Sequence, residues 1–274
     1  MKKLFALICC FALLFGLAAG CGQRETEEPE NGATATTKLV VGATAKPHAE
    51  ILEVIKPMLK EQGIELEIRE FTDYVLLNPA LEDGQIDANF FQHIPYLEDY
   101  NKENNADLVW TVKVHNEPMG VYSKKYQKVE DFPNGATVGI PNDTTNGGRA
   151  LMVLERSGII KLREGAGLTA TEKDIVDNPK NLKIQMMDAA MLPRALDDLD
   201  ACVINSNYAL EAGLNPVKDS IFMEPKDSPF ANVLVVRPED KDKEAIKKLG
   251  EALQSPQVKQ FLEEKYQGSC VPAF

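Results

Sequence analysis

The chain has 274 residues, a formal net charge of −12 and 44% hydrophobic residues. That length fits one large domain or two of ordinary size, and the apolar fraction is enough to build a real core. The acidic balance argues against a nucleic-acid partner, which favours a basic surface.

The first 20 residues stand apart. Lys2 and Lys3 form a charged start, Leu4 to Leu17 is apolar, and Ala18-Ala19-Gly20 precedes Cys21. This is a secretory signal, too short for a comfortable transmembrane helix. The small residues before Cys21 resemble a bacterial lipobox, in which the cysteine is lipid-modified and becomes the mature N-terminus. Ala18 stands where leucine is commonest, and the alternative is an ordinary secretory signal with an incidental cysteine. Cleavage takes away Lys2 and Lys3 and no acidic residue, moving the charge from −12 to −14. The expected location is the extracytoplasmic face of a bacterial cell membrane, held by lipid on Cys21. Residues 21–37 have no apolar period and read as a flexible tether. Beyond it only Cys202 and Cys270 remain, and a buried free Cys202 is favoured over a disulfide.

From Lys38 short apolar strands alternate with amphipathic helices, the pattern of an α/β fold. Leu39 to Ala43 predicts a strand and Thr44 to Pro47 a loop. His48 to Gln62 predicts a helix with Ile51, Leu52, Ile55 and Leu59 on one face and Gly63 as the stop. Ile64 to Phe71 predicts a strand, Asn78 to Asp83 a short helix, and Asp87 to Phe91 a third strand. The pattern restarts near Gly135. Ala136 to Ile140 predicts a strand, followed by a polar loop and a helix from about Thr145 toward Gly158. Leu182 to Met187 predicts a strand, Leu192 to Leu199 a helix, and Asp200 to Ile204 a strand. A helix from Asp240 to Gln267 is expected to pack on the first lobe.

An internal echo supports two similar lobes. Ala80-Leu81-Glu82-Asp83, Asp87-Ala88 and Phe90-Phe91 match Ala195-Leu196-Asp197-Asp198, Asp200-Ala201 and Val203-Ile204. The expected lobes are residues 38–117 plus 232–274, and residues 118–231. Crossovers at His115 to Tyr122 and Ser228 to Arg237 would form a hinge. Ligands of open parallel sheets sit beyond the carboxyl ends of the strands. The loops after Ala43, Phe91, Ile140 and Ile204 therefore face one another across a cleft.

Catalysis finds no support, and the chain reads as a non-enzyme without cofactor. There is no Gly-x-Ser-x-Gly and no cysteine in a polar loop. Gly135 to Arg149 lacks the Gly-Lys-[Ser/Thr] end of a P-loop. His48, His93 and His115 lie far apart in sequence, and no metal site is expected from them. A cleft for a small zwitterion fits better. Arg149 falls early in its helix, where a cation opposes the helix dipole. Two readings stand at this point: an anion clamp, or a surface arginine paired with Asp143 or Glu155. As a clamp, Arg149 would fork a carboxylate through two parallel bonds. Asn205 and Asn232 offer both donors and acceptors to the polar end. Tyr74, Phe91, His93 and Tyr96 could wall an apolar side chain.

Many ordered motifs carry a resemblance to a known family. They are Phe71-Thr-Asp-Tyr-Val-Leu76 with Asn78, Ile86-Asp-Ala-Asn89 with Gln92-His93 and Pro95-Tyr96, and Glu117-Pro-Met-Gly with Tyr122-Ser-Lys. Pro141-Asn-Asp, Thr145-Asn146, Arg149 and Asp177 to Ile184 follow, then Leu192 to Asp198, Val203-Ile-Asn205 and Ser228-Pro. From the lipobox to Phe274 the chain resembles the NlpA/MetQ lipoproteins, the substrate-binding proteins of methionine ABC importers. The resemblance implies a two-lobed, type II periplasmic-binding-protein fold of open mixed sheets with helices on both faces. It implies methionine in the interlobe cleft, with Arg149 on its carboxylate and Asn205 and Asn232 on its polar end. Tyr74, Phe91, His93 and His115 would line the thioether pocket. It further implies a monomer that docks on a permease with its own ATPase. Gly147-Gly148 before Arg149 is more flexible than is usual in the family. Other ligands consistent with the same fold are a methionyl dipeptide, another apolar amino acid or an organosulfur compound. A metal-binding or adhesive surface lipoprotein is the alternative of a different class.

Overall fold

The computed structural model describes residues 36–274. The signal, the lipid-attachment residue Cys21 and nearly all of the tether lie outside the described residues. Within them, the strand-helix alternation read from the sequence builds two sheets. β1 (Thr37–Ala43), β2 (Ile64–Glu70) and β3 (Ala88–His93) run parallel, with α1 (Glu50–Glu61) and α2 (Leu77–Glu82) between them. α3 (Ile94–Asn104) then leads to β4 (Val109–Asn116).

The second half repeats the plan. β5 (Gly120–Tyr122) is followed by β6 (Thr137–Pro141), α4 (Thr144–Arg156) and a small hairpin of β7 (Lys161–Leu162) and β8 (Ile175–Asp177). β9 (Lys183–Met187), α5 (Leu192–Ala195), β10 (Ala201–Ile204), α6 (Ser206–Glu211), α7 (Pro216–Asp219) and β11 (Ser220–Met223) complete it. The chain then returns through β12 (Ala231–Val236), α8 (Glu244–Leu253), α9 (Pro256–Phe261) and β13 (Val271–Pro272).

The first sheet has the order β13-β4-β12-β3-β1-β2 and the second β11-β5-β10-β6-β9. Each therefore contains a parallel trio, β2-β1-β3 or β9-β6-β10. Each trio is extended by an antiparallel strand next to a crossover, β12 against β3 and β5 against β10. The echo in the sequence is this symmetry, because its two copies are α2-β3 and α5-β10.

Both sheets bury both faces, the mark of strands covered by helices on either side. In β12, Leu234 and Val236 pack with α1, α8 and α9, whereas Val233 and Val235 pack with Leu81 and Leu97 of α2 and α3. In β10, Ala201 and Val203 pack against α4, and Cys202 and Ile204 against α5 and α6. The latter group also takes in Tyr74, Leu77 and Phe91 from the other half, so an aromatic seam joins the two. Cys202 and Cys270 are both free and buried. Among the described residues no helix is long and apolar enough to cross a membrane.

Two expectations need correction, and one element was not expected. The C-terminal helix is not continuous: α8 ends at Leu253, and Ser255 caps α9 by accepting from the Val258 amide. Pro256 has no N–H to continue the first helix but suits the first position of the next. The helix expected over Leu192 to Leu199 is regular only as far as Ala195. Helix α3 also goes unannounced in the sequence, since Leu97 is its one fully buried residue and its apolar stripe is weak.

Candidate functional site

Where the carboxyl ends of β3, β6 and β10 face one another, the halves enclose a small cavity of about 20 Å³. That is about the room one water needs, so the lobes stand nearly closed on each other. Tyr74, Phe91, His93 and Tyr96 line one side of it. Asn146, Arg149, Asn205, Ser206 and Asn207 line the other, with Glu117 and Asn232 from the two crossovers.

Arg149 is buried in the second turn of α4. It is ion-paired, but with Glu224 rather than with Asp143 or Glu155. Its Nε donates to Glu224 Oε2 at 3.1 Å and its Nη2 to the same oxygen at 2.5 Å. Nη2 also donates to the Glu117 carbonyl at 2.7 Å. Among the described residues Nη1 has no partner. The guanidinium lies 4.0 Å over the Phe230 ring, a cation–π contact in a desolvated place. One edge of the fork is thus fixed, and Nη1 remains open.

The two glycines before Arg149 serve close packing rather than flexibility. A Cβ on Gly148 would come within 2.1 Å of the Leu168 carbonyl oxygen, and one on Gly147 within 2.9 Å of the Pro141 carbonyl oxygen. α4 reaches its place only because these positions lack side chains. Asp143 caps it by accepting from the Asn146 amide at 2.8 Å.

Asn146 ties the halves together. Its Oδ1 accepts from His93 Nε2 at 3.1 Å and from Asn205 Nδ2 at 2.8 Å, while its Nδ2 donates to Asp143. His93 Nδ1 accepts from the Tyr96 amide, so its proton sits on Nε2. Burial, then the Arg149 charge, push this histidine down to about 3. Asn205 stands at the N-cap of α6 without capping it, so its side chain is free for the cavity. Tyr74 donates to Asn207 across the same gap and stacks with Phe91 and Tyr208 at 5.7 and 4.8 Å.

A buried polar group backs the cavity. His115 Nε2 and His48 Nε2 lie 2.8 and 3.2 Å from Glu117 Oε1. His48 is also 3.0 Å from Asn232 Oδ1 and 2.7 Å, through Nδ1, from the Thr44 hydroxyl. His115, placed in the thioether pocket by the resemblance, is instead fully buried behind Glu117. Burial pushes His48 down to about 4 and His115 to about 3, and pushes the Glu117 carboxyl up against the pull of His48 and Arg149. The two histidines, distant in sequence, thus meet with Glu117 in a set that could hold a metal ion. A tetrahedral metal with bonds of about 2.0–2.1 Å would hold its ligands roughly 3.3 Å apart. His115 Nε2 instead stands at hydrogen-bonding distance from Glu117 Oε1, and His48 Nε2 makes its hydrogen bond to Asn232.

The profile of the NlpA lipoprotein family matches residues 39–274. The chain belongs to that family. The methionine-binding lipoprotein MetQ of Bacillus subtilis is 44% identical, over 99% of both chains. A nutrient-binding protein from Burkholderia cenocepacia, solved bound to methionine, is 47% identical with a TM-score of 0.84 and covers 86% of this chain and 100% of its own. A periplasmic substrate-binding protein of an ABC transporter from Coxiella burnetii is 40% identical with a TM-score of 0.82, covering 86% and 100%. The two-lobed periplasmic-binding fold expected from the sequence is the fold found.

In this member of the family, Tyr74, Phe91, His93, Arg149, Asn205 and Asn232 all reach the cavity. The sequence reading missed Glu117, Asn146, Ser206 and Asn207 on its wall, and Glu224 and Phe230 behind it. Asn146 had a signal, because it stands three residues before Arg149 and so shares its helix face. Glu117, Glu224 and Phe230 lie on irregular crossover segments without a period to mark them.

Proposed function

We propose that this protein is an extracytoplasmic binding lipoprotein that captures methionine between its lobes and delivers it to an ABC permease. The observation that carries the reading is a cation and a carboxylate, Arg149 and Glu117, converging on one buried cavity beside an aromatic wall. In this reading Arg149 Nη1 takes the ligand carboxylate. Glu117 and Asn232 accept from its ammonium, supplying the acidic partner that the sequence reading lacked. Tyr74, Phe91, Tyr96 and His93 receive the thioether, and sulfur against ring edges is favourable by about 0.3–1.5 kcal/mol. Burial of the side chain contributes roughly 1.5–3 kcal/mol more.

The lobes are residues 38–117 plus 232–274 and residues 118–231, hinged at the crossovers. Contacts made only in the closed form would shift the hinge toward closure, which the permease reads. Lipid on Cys21 keeps the protein, a monomer, near that partner. ATP hydrolysis belongs to the transporter, and the binding protein performs no catalytic step.

Arg149→Lys is the informative test. Removing the cation outright would leave Glu224 buried and unpaired, at a cost of about 3–5 kcal/mol. Lysine keeps the charge but not the fork. Calorimetry should show methionine binding weakened by roughly ten- to a hundredfold, the worth of a charge-assisted bond of about 1.5–3 kcal/mol. Near-native affinity in this variant rules out Arg149 as the carboxylate anchor.

A further inference from the structure

We propose that Glu224 is a specificity-determining residue: by cancelling the charge of Arg149, it makes the ligand's own ammonium compulsory. The inference rests on reading Arg149 as the carboxylate anchor. Glu224 is buried and is absent from the cavity wall, so it acts through Arg149 as a positioning residue. Its carboxylate takes both Nε and Nη2 and accepts the Met119 amide at 3.2 Å.

The fixed charges around the cavity are Arg149 against the carboxylates Glu224 and Glu117, with Asp143 one hydrogen bond behind Asn146. The histidines add none. His93 Nδ1 already accepts an amide, and His115 Nδ1 is buried without a partner, so a proton there would be an unsatisfied donor. The His115 Nε2–H donates to Glu117 Oε1 at 2.8 Å, which favours the ionised carboxylate. The buried groups therefore carry an excess of negative charge. A ligand with only a carboxylate deepens that excess in a desolvated space, where unpaired charge is costly. A zwitterion leaves it unchanged while pairing both of its ends. An amine without a carboxylate lessens it. Were Glu224 neutral, one negative charge would be gone, Glu117 would still offset Arg149, and a bare anion would meet less repulsion.

The experiment is calorimetric titration of the purified protein and of Glu224→Gln with three probes. These are methionine, its deaminated acid (methylsulfanyl butanoate) and its decarboxylated amine (methylsulfanyl propylamine). The wild-type protein should bind the amine more tightly than the acid. In Glu224→Gln the acid should gain on methionine by roughly tenfold or more, as a like charge facing the ligand is removed. The proposal is overturned if the wild-type protein prefers the acid to the amine, an ordering that decides even if the variant fails to fold. It is overturned equally if a folded Glu224→Gln keeps the wild-type ratio, or loses both ligands alike, which would make Glu224 only a brace for Arg149. A wild-type protein that gives no heat with methionine removes the methionine reading itself, a distinct result.

Discussion

Arg149 holds its place through contacts on three sides, and the face against Phe230 is the one the sequence least announces. The ring lies 4.0 Å from the guanidinium and 5.1 Å from the centre of His93, so a single apolar side chain steadies one group from each half. A cation–π contact is worth about 0.5–2 kcal/mol, more when desolvated. Phe230→Leu should therefore lower methionine affinity by a factor of roughly two to thirty while the protein stays folded. Calorimetry beside a circular-dichroism spectrum checks it, and unchanged affinity would mean that Glu224 and the Glu117 carbonyl suffice to hold the fork. The residues legible in advance were those with a local signature. Arg149 stood against its helix dipole, and Asn205 and Phe91 stood at the ends of apolar strands. Phe230, Glu117 and Glu224 become partners of Arg149 only when two crossovers far apart in sequence are brought together.

At the scale of elements, α4 is held by what its glycines permit. Gly148 faces the backbone of Leu168 and Ala170, where a Cβ would approach to 2.1 and 3.1 Å. Backbone cannot swing aside as a flexible side chain can, so Gly148→Ala must lift the helix or the turn beneath it. Overpacking of this kind costs about 1–3 kcal/mol. The variant should unfold at a lower denaturant concentration and, because Arg149 is the next residue, bind methionine more weakly. A variant with wild-type stability and affinity would show that the turn at Gly167–Thr169 yields freely. Helix α4 itself was readable from its Asp143 cap and its apolar face, and the strands of both parallel trios from their short apolar runs. What escaped the sequence were elements whose pattern depends on tertiary neighbours. β11 is only half-buried, α3 has little apolar stripe, and the reason for Gly148 is a contact with Leu168, about 20 positions further on.

Across the whole molecule the halves meet through buried polar groups as well as through the aromatic seam. His93 bonds Asn146, Tyr74 bonds Asn207, and Tyr208 donates to the Thr72 carbonyl at 3.3 Å. His48 and His115 join this set through Glu117 at the first crossover. The three histidines are buried and neutral, pushed down from 6.5 to about 4 for His48 and about 3 for His93 and His115. Their effect on stability has a definite sign. Below pH 6.5 the unfolded chain takes up protons that the folded protein refuses until about pH 4 to 3, so acid favours unfolding across that window. Each histidine contributes up to about 1.4 kcal/mol per pH unit there. Glu117, Asp143 and Glu211 act in the opposite sense, because burial raises them and the folded state then holds protons that the unfolded chain has released. The histidine shifts span the whole window below pH 6.5, and the net expectation is a protein that unfolds at lower urea concentration at pH 5 than at pH 7. His93→Gln keeps a donor toward Asn146 but cannot titrate, so it should shrink that difference by roughly one histidine's share. An equal difference in the variant would place the acid sensitivity elsewhere, and a protein more stable at pH 5 would mean that the three raised carboxyls outweigh the histidines.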